Sequence, residues 1–144
     1  MNYTINIFIS HSWSYSGHYE TLYSWIVENE WTIHEQPVIF HDWSVPKNDP
    51  IHNATTDKQL EMRIFAQISR ANAVIIPTGM YANYSKWISK EISGSKLYRV
   101  PILAVNPRSQ QRASSTVINA ANELVGWNKN SVVNAIWKLY QNVQ

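Results

Sequence analysis

The sequence of 144 residues predicts an α/β protein built on a doubly wound, parallel sheet of about five strands. Short apolar segments alternate along the chain with longer segments whose apolar residues recur at helical spacing. The segment at 73–76 is apolar throughout, as expected for a parallel strand covered on both faces. Alternating strands and helices of this kind are typical of doubly wound sheets.

The first half of the chain predicts two βα units. Residues 5–9 are β-branched or aromatic and predict the first strand. A serine-rich loop at 10–17 follows, and apolar residues at helical spacing then predict a helix from Tyr19 to Val27. Residues 37–40 predict the second strand. The irregular segment after it, at 42–55, is long for a compact domain, and such loops are usually functional or disordered.

The second half continues the alternation. Helical spacing at 60–68 precedes the third strand at 73–76, and a further helix contains residues 84–92 and is expected to end at Gly94. Residues 100–105 predict the fourth strand, 117–121 a short helix and 123–125 a short last strand. An amphipathic helix at 132–140, capped at Asn128 or Asn130, completes one expected domain, 1–144.

Composition narrows the function classes. A hydrophobic fraction of 44% is normal for a globular protein, and no apolar run reaches the roughly 20 residues that span a bilayer. The net charge of +2 is too small and too dispersed to predict a nucleic-acid surface. The chain has no cysteine and no visible signal peptide, so we expect a cytoplasmic protein without a membrane partner.

Ligands of doubly wound sheets bind beyond the carboxyl ends of the strands, where the strand order reverses. The loop at 10–17, the loop at 42–55 and the start of the helix that carries Trp87 and Glu91 are expected to meet there. Trp87 and Glu91 are four residues apart and so share one helix face. A carboxylate beside an aromatic ring suits a cationic substrate that contains a ring, although a surface glutamate next to a packing tryptophan has the same spacing.

Other candidate residues leave two readings open. His11 is either a polar contact or general base of the site, or a loop histidine exposed to water. Asp42 is either a site residue or a loop-capping residue. The five histidines do not have the spacing of metal ligands, so we predict no metal.

A lone glutamate is sufficient for one kind of glycosidic cleavage. Ordinary glycoside hydrolysis uses two carboxyl groups, because the alcohol leaving group needs a proton. Nicotinamide leaves NAD as a neutral ring from a cationic pyridinium, so that cleavage needs no general acid. One carboxylate can then bind the ribose hydroxyls and stabilise the oxocarbenium-like transition state.

Several short motifs in a fixed order resemble the TIR-like family of the bacterial Thoeris anti-phage system. The motifs are Phe8-Ile9-Ser10-His11-Ser12, Asp42-Trp43-Ser44, Ala73-Val74-Ile75-Ile76, Ser85-Lys86-Trp87, Lys90-Glu91-Ile92 and Val125-Gly126-Trp127-Asn128. The resemblance extends over nearly the whole chain. The spacing of Trp87 and Glu91 is also similar to that in catalytic TIR domains generally.

The resemblance implies a flavodoxin-like, three-layer fold and an enzyme that hydrolyses or cyclises NAD, its substrate, with no cofactor. It implies that Glu91 is the catalytic residue. It also implies a substrate-binding set around that residue: Ser10, His11, Ser12, Trp13, Asp42, Ser44 and Trp87. The product would be a cyclic ADP-ribose isomer or a related ADP-ribose signal that activates a separate effector protein after a phage trigger. Active members assemble, and the loop at 42–55 matches in position the loop that often mediates assembly.

Two other functions are compatible with the same residues. A non-catalytic TIR-like assembly module would form oligomers without ligand and would keep its function after Glu91→Ala. An enzyme similar to nucleoside deoxyribosyltransferases would use the glutamate on deoxynucleosides instead of NAD.

Overall fold

The computed structural model describes residues 3–15, 17–44, 57–79, 81–106 and 114–143. Six strands and five α-helices lie in these ranges. In chain order they are β1 (Tyr3–Ile9), α1 (Tyr19–Ile26), β2 (Trp31–Ile33), β3 (Gln36–Asp42), α2 (Asp57–Ile68), β4 (Ala73–Pro77), α3 (Tyr81–Leu97), β5 (Ile102–Asn106), α4 (Ser115–Ala120), β6 (Glu123–Gly126) and α5 (Lys129–Val143). A 3₁₀ helix, His11–Tyr15, separates β1 from α1.

The strands form one sheet in the order β2-β3-β1-β4-β5-β6. Strands β3, β1, β4, β5 and β6 are parallel, and β2 is antiparallel to β3 at the edge. Helices cover both faces. The predicted α/β, flavodoxin-like fold with a parallel doubly wound sheet is therefore confirmed, with a sixth, antiparallel strand added.

The sequence did not predict β2, for two physical reasons. The strand has only three residues, too few for an alternating pattern to be recognised. Its turn to β3 places His34 and Glu35 at φ angles of 51° and 66°. Glycine or asparagine usually occupies such positions in a hairpin, so the ordinary turn signal is missing.

Each face of the sheet has its own apolar cluster. On one face Ile5, Ile7 and Ile9 of β1 pack with side chains from α1 and α5, including Leu22 and Ile136. The other face buries Phe8 of β1 and apolar residues of β4 and β5 against α2, α3 and α4. Because consecutive strand residues point to opposite faces, β1 supplies both clusters and lies at the centre of the fold.

Gly94 does not end its helix, which corrects the prediction. Helix α3 continues to Leu97, and Gly94 lies inside it against α2. A Cβ atom at Gly94 would come within 2.8 Å of Cδ1 of Phe65 and 3.3 Å of Cδ1 of Ile68. The glycine is needed for the close approach of two helices, a packing role that its position in the sequence does not distinguish from that of a terminator.

The structure tests two local predictions, the loop after β1 and the cap of α5. The loop predicted at 10–17 contains the 3₁₀ helix, which begins where the N–H of Trp13 donates to the carbonyl of Ser10 at 3.1 Å. The predicted cap of α5 is Asn128, whose Oδ1 accepts from the N–H of Ser131 at 3.0 Å. Most of the loop predicted at 42–55, residues 45–55, lies outside the described residues.

The strand order places the point of reversal between β1 and β4, the two central strands. The chain leaves β1 through Ser10, whose N–H donates to the carbonyl of Ile75 in β4 at 2.9 Å. The carboxyl ends of the two strands are thus held together, in the place where such folds bind ligands. Among the described helices, none combines the length and apolar character needed to cross a membrane.

Candidate functional site

Glu91 is the buried carboxyl group at this edge of the sheet. It lies on α3, has no exposed surface, and contacts the residues that follow β1. Its Oε1 accepts from the hydroxyl of Ser10 at 2.5 Å, and its Oε2 accepts from the main-chain N–H of His11 at 3.1 Å. The carboxyl group therefore has a hydrogen-bond donor at each oxygen, as a buried polar group requires.

A second serine extends this network. Ser12 Oγ lies 2.7 Å from Ser10 Oγ, and the N–H of Ser12 also donates to Ser10 Oγ over a long 3.3 Å. Both hydroxyls are buried. Ser10 is thus the central group of a chain that runs from Ser12 to Glu91.

The protonation of Glu91 is set mainly by its burial. Removal from water disfavours the charged form and raises the pKa of Glu91 from 4.5 to about 7, while the hydrogen bonds from Ser10 and from the N–H of His11 act in the opposite direction. The residue consequently has protonated and ionised forms in comparable amounts near neutral pH. Perturbed carboxyl groups of this kind are frequent at functional sites.

Trp87 lies beside this group, one turn earlier on α3. Its ring is 4.6 Å from the imidazole of His11 between centroids, with the two planes inclined by 31°. The side chain of Trp87 is half-buried, whereas His11 is almost fully buried. The helix therefore contacts the start of the 3₁₀ helix through both predicted residues, the carboxylate and the ring.

Trp13 occupies the interior. It has no exposed surface, and its Nε1 donates to the carbonyl of Ile75 at 3.2 Å. Its ring lies 5.6 Å from that of Trp127 and 5.9 Å from that of His18. In this conformation Trp13 anchors the 3₁₀ helix to β4, and its predicted contact with substrate stays a prediction.

Asp42 and Ser44 connect the ends of β3 and β1. Ser44 donates its N–H to Asp42 Oδ1 at 2.8 Å and its hydroxyl to the same oxygen, while Ser44 Oγ accepts from the N–H of Ile9 at 2.7 Å. The hydroxyl of Tyr19 donates to Asp42 Oδ2. Burial, together with the bond to Asp42, raises the pKa of Tyr19 well above its ordinary value, so the phenol keeps its proton.

The predicted site residues fall into two groups. Ser10, His11, Ser12, Trp87 and Glu91 form one cluster, which we call the Glu91 cluster. Asp42 and Ser44 form a second group at the neighbouring strand end, joined to the first through the backbone of β1. The structure describes this grouping, and the roles of the residues toward a substrate stay predictions.

Two residues of this region were not singled out from the sequence. Tyr19 was identified only as an apolar position of α1. Its place directly after the serine-rich loop was a signal that its hydroxyl could lie near the strand ends. Ser95 is buried one turn after Glu91, and its hydroxyl donates to the carbonyl of Glu91 at 2.7 Å. The i, i+4 spacing of these two residues on α3 indicates such a bond.

The chemistry available here is that of a single carboxyl group. Within the described ranges no three histidine or acidic side chains are grouped so as to hold a metal ion. A carboxylate in a buried setting interacts strongly with a nearby positive charge, because little water screens it. The Glu91 cluster is therefore suited to stabilise a cation that forms next to it.

Comparison with known protein families identifies a family whose model covers most of the chain. The model of the family described as Thoeris protein ThsB, TIR-like domain, matches residues 8–112, which is well over half of the chain. The matched region begins in β1 and includes the whole Glu91 cluster. No curated protein sequence matches the chain.

Proposed function

The chain belongs to the TIR-like domain family of the Thoeris protein ThsB, and on this premise we propose that it consumes NAD in anti-phage defence. The proposed reaction cleaves the bond between nicotinamide and ribose. The single observation that carries the proposal is the position of Glu91, a buried carboxyl group of raised pKa at the point where the strand order reverses. The family match supports it independently.

In the proposed step the bond between the anomeric carbon and the pyridinium nitrogen breaks, and its electron pair stays with the nitrogen. Nicotinamide leaves as a neutral molecule, and the ribose becomes an oxocarbenium-like cation. Glu91, as the carboxylate, stabilises this cation and orients the ribose hydroxyls. The step uses the ionised form of Glu91, which predominates above a pH of about 7.

The second half of the reaction determines the product. Addition of water to the cation, with loss of a proton, gives ADP-ribose. Addition of a hydroxyl of the adenosine ribose gives a cyclic ADP-ribose isomer instead, if that hydroxyl is held close to the anomeric carbon. We propose that a product of this type is the signal that activates a separate effector protein.

Two partners belong to the same proposal. A phage-derived trigger would start the reaction, and a second copy of the chain would complete the active assembly. The loop proposed for assembly, residues 42–55, lies mostly outside the described residues, so the proposal rests here on the family alone.

The test is to incubate the protein with NAD, with and without lysate of phage-infected cells, and to measure nicotinamide and ADP-ribose products by mass spectrometry. Glu91→Gln keeps the shape of the side chain and removes its charge, so the variant should release nicotinamide about 10²–10³-fold more slowly than wild type. Glu28→Gln, an exposed glutamate after α1, is the matched control and should behave as wild type. Equal product from wild type and Glu91→Gln would contradict the proposed role of Glu91, whereas no product from either protein would favour a non-catalytic assembly module.

A further inference from the structure

Glu91 is inaccessible to solvent in this structure. It has no exposed surface. Ser10 and His11, which bond to it, and Ser12, which bonds to Ser10, are equally buried or nearly so. A ribose can hydrogen-bond to a carboxylate only if it reaches one of its oxygens. The conformation described here is therefore closed toward any substrate of Glu91.

The closure is specific, because both oxygens have internal partners. Ser10 donates to one oxygen and the main-chain N–H of His11 to the other. A substrate hydroxyl would have to replace one of these donors. Hydrogen bonds to an ionised acceptor are roughly twice as strong as neutral ones, so the competition is strongest when Glu91 is charged.

The helix that carries Glu91 has little freedom to move away. Ile88, on the turn before Glu91, is fully buried in the apolar cluster on that face of the sheet. Gly94 packs closely against the ring of Phe65 in α2. Opening must therefore come from the other side, the residues after β1.

Those residues are anchored to β4 at two points. The main-chain N–H of Ser10 is bonded to Ile75, and the side chain of Trp13 is bonded to the same carbonyl. His11 and Ser12 lie between these anchors. Ser12 Oγ lies 2.7 Å from Ser10 Oγ, so a rotation of the Ser10 hydroxyl can redirect its hydrogen bond from Glu91 to Ser12.

We propose that Ser10, His11 and Ser12 form an autoinhibitory cover over Glu91, which must open before the carboxylate can act. The inference rests on the proposed NAD-consuming function and adds its regulation. In this arrangement the isolated protein is held in a low-activity state by its own Ser10 hydroxyl, and an activator works by withdrawing the cover. Ser10 then acts as an inhibitory residue and not as a substrate ligand.

The first measurement is nicotinamide release by Ser10→Ala without any activator. Loss of the bond to the carboxylate should raise release about tenfold or more over wild type, because hydrogen bonds to charged groups have that influence on an equilibrium. The double variant Ser10→Ala with Glu91→Gln should release no more than Glu91→Gln alone. Ser95→Ala, which removes a buried serine bonded to the carbonyl and not to the carboxylate of Glu91, should behave as wild type.

The second measurement tests the solvent exposure of the cover independently of activity. The chain has no cysteine, so Ser12→Cys introduces a unique thiol whose labelling by Ellman's reagent reports exposure. Labelling should be much slower than at Ser85→Cys, which is on the exposed face of α3, and should accelerate when Ser10→Ala is added. Ser95→Cys, at a buried position of α3 itself, should stay protected in both backgrounds and so exclude general unfolding.

The two measurements separate the cover from the reaction. Labelling of Ser12→Cys as fast as Ser85→Cys, or unchanged by Ser10→Ala, would overturn the cover. So would nicotinamide release that is lower in Ser10→Ala than in wild type, while the NAD reaction itself would stand. Faster labelling with no release from any protein would count against the proposed function instead, because Glu91 would then be uncovered and still inactive.

Discussion

Two carboxyl groups lie at neighbouring strand ends of this protein, and their surroundings differ. Asp42 is partly exposed and accepts from Tyr19 and from Ser44, residues that connect α1, β1 and β3. Glu91 is fully buried, and within the described ranges it accepts from two donors, both on the segment that follows β1. The difference is consistent with a structural role for Asp42 at the strand ends and with the proposed functional role of Glu91 beneath a cover.

The largest expected effect separates the two carboxyl groups by activity. Glu91→Gln should lower nicotinamide release by about 10²–10³-fold, the usual consequence of removing one group that stabilises developing charge in a transition state. Asp42→Asn should lower it much less, because Asp42 contacts no member of the Glu91 cluster directly in the described contacts. Steady-state kinetics of the activated protein measure both. If Asp42→Asn lost more nicotinamide release than Glu91→Gln, Asp42 and not Glu91 would be the more important carboxyl group for the reaction.

The second expected effect is on stability as a function of pH. The pKa of Glu91 is raised to about 7 in the folded protein, against an ordinary value of 4.5. The folded state therefore keeps a proton that the unfolded state loses, and the stability from this group is present below pH 4.5 and lost as pH rises toward 7. The loss is on the order of 3 kcal/mol.

Urea denaturation at pH 5 and pH 8 measures this loss. The free energy of unfolding should differ less between pH 5 and pH 8 in Glu91→Gln than in wild type, because the amide does not titrate. An identical pH dependence in wild type and Glu91→Gln would show that Glu91 is not the buried, titrating group.

The third expected effect concerns the close packing of α3, the helix that carries Glu91, against α2. Gly94→Ala places a methyl group against the ring of Phe65 and should lower the free energy of unfolding by about 1–3 kcal/mol through overpacking. Gly126→Ala is the matched control, because a Cβ atom there has no neighbour within 4 Å. Thermal unfolding of both variants tests the difference, and equal melting temperatures would contradict the close approach of α2 and α3.

The smallest expected effect is at the group around Asp42. Tyr19→Phe removes one donor to this carboxylate and should lower the free energy of unfolding by about 1–2 kcal/mol. Because Tyr19 bonds to Asp42 and not to Glu91, the pH dependence of stability between 5 and 8 should be unchanged. Denaturant titration at several pH values would reveal a coupling between the two groups if that expectation is wrong.

The sequence was sufficient for the parts of the fold that rest on local patterns. The buried central strand at 73–76 could be identified because a run of apolar residues bounded by polar ones has few other interpretations. Strand β2 could not, because its hairpin turn uses His34 and Glu35 where a turn signal needs glycine or asparagine. Gly94 was misassigned because its packing partner, Phe65, lies on another helix.

The candidate site likewise has features that local sequence patterns predict and features that only the fold determines. The spacing of Trp87 and Glu91 was enough to place both on one helix face. The functional role of Glu91 was inferred from the chemistry of NAD cleavage and from the resemblance to a known family. The bond between Ser10 and Glu91 joins residues 81 positions apart, so only the folded sheet brings them together. No local pattern indicates that Trp13, in a serine-rich segment, is buried, since a loop tryptophan on the surface has the same neighbours in sequence.

The most direct test is the pH profile of kcat/KM for nicotinamide release from NAD. We expect a rise with pH that has its midpoint near 7, where half of Glu91 is ionised, and that levels off above it. In Glu91→Gln we expect this rise to be absent. A profile that is flat between pH 5 and pH 8, or one that is unchanged in Glu91→Gln, would contradict the claim that Glu91 is the group that acts on NAD.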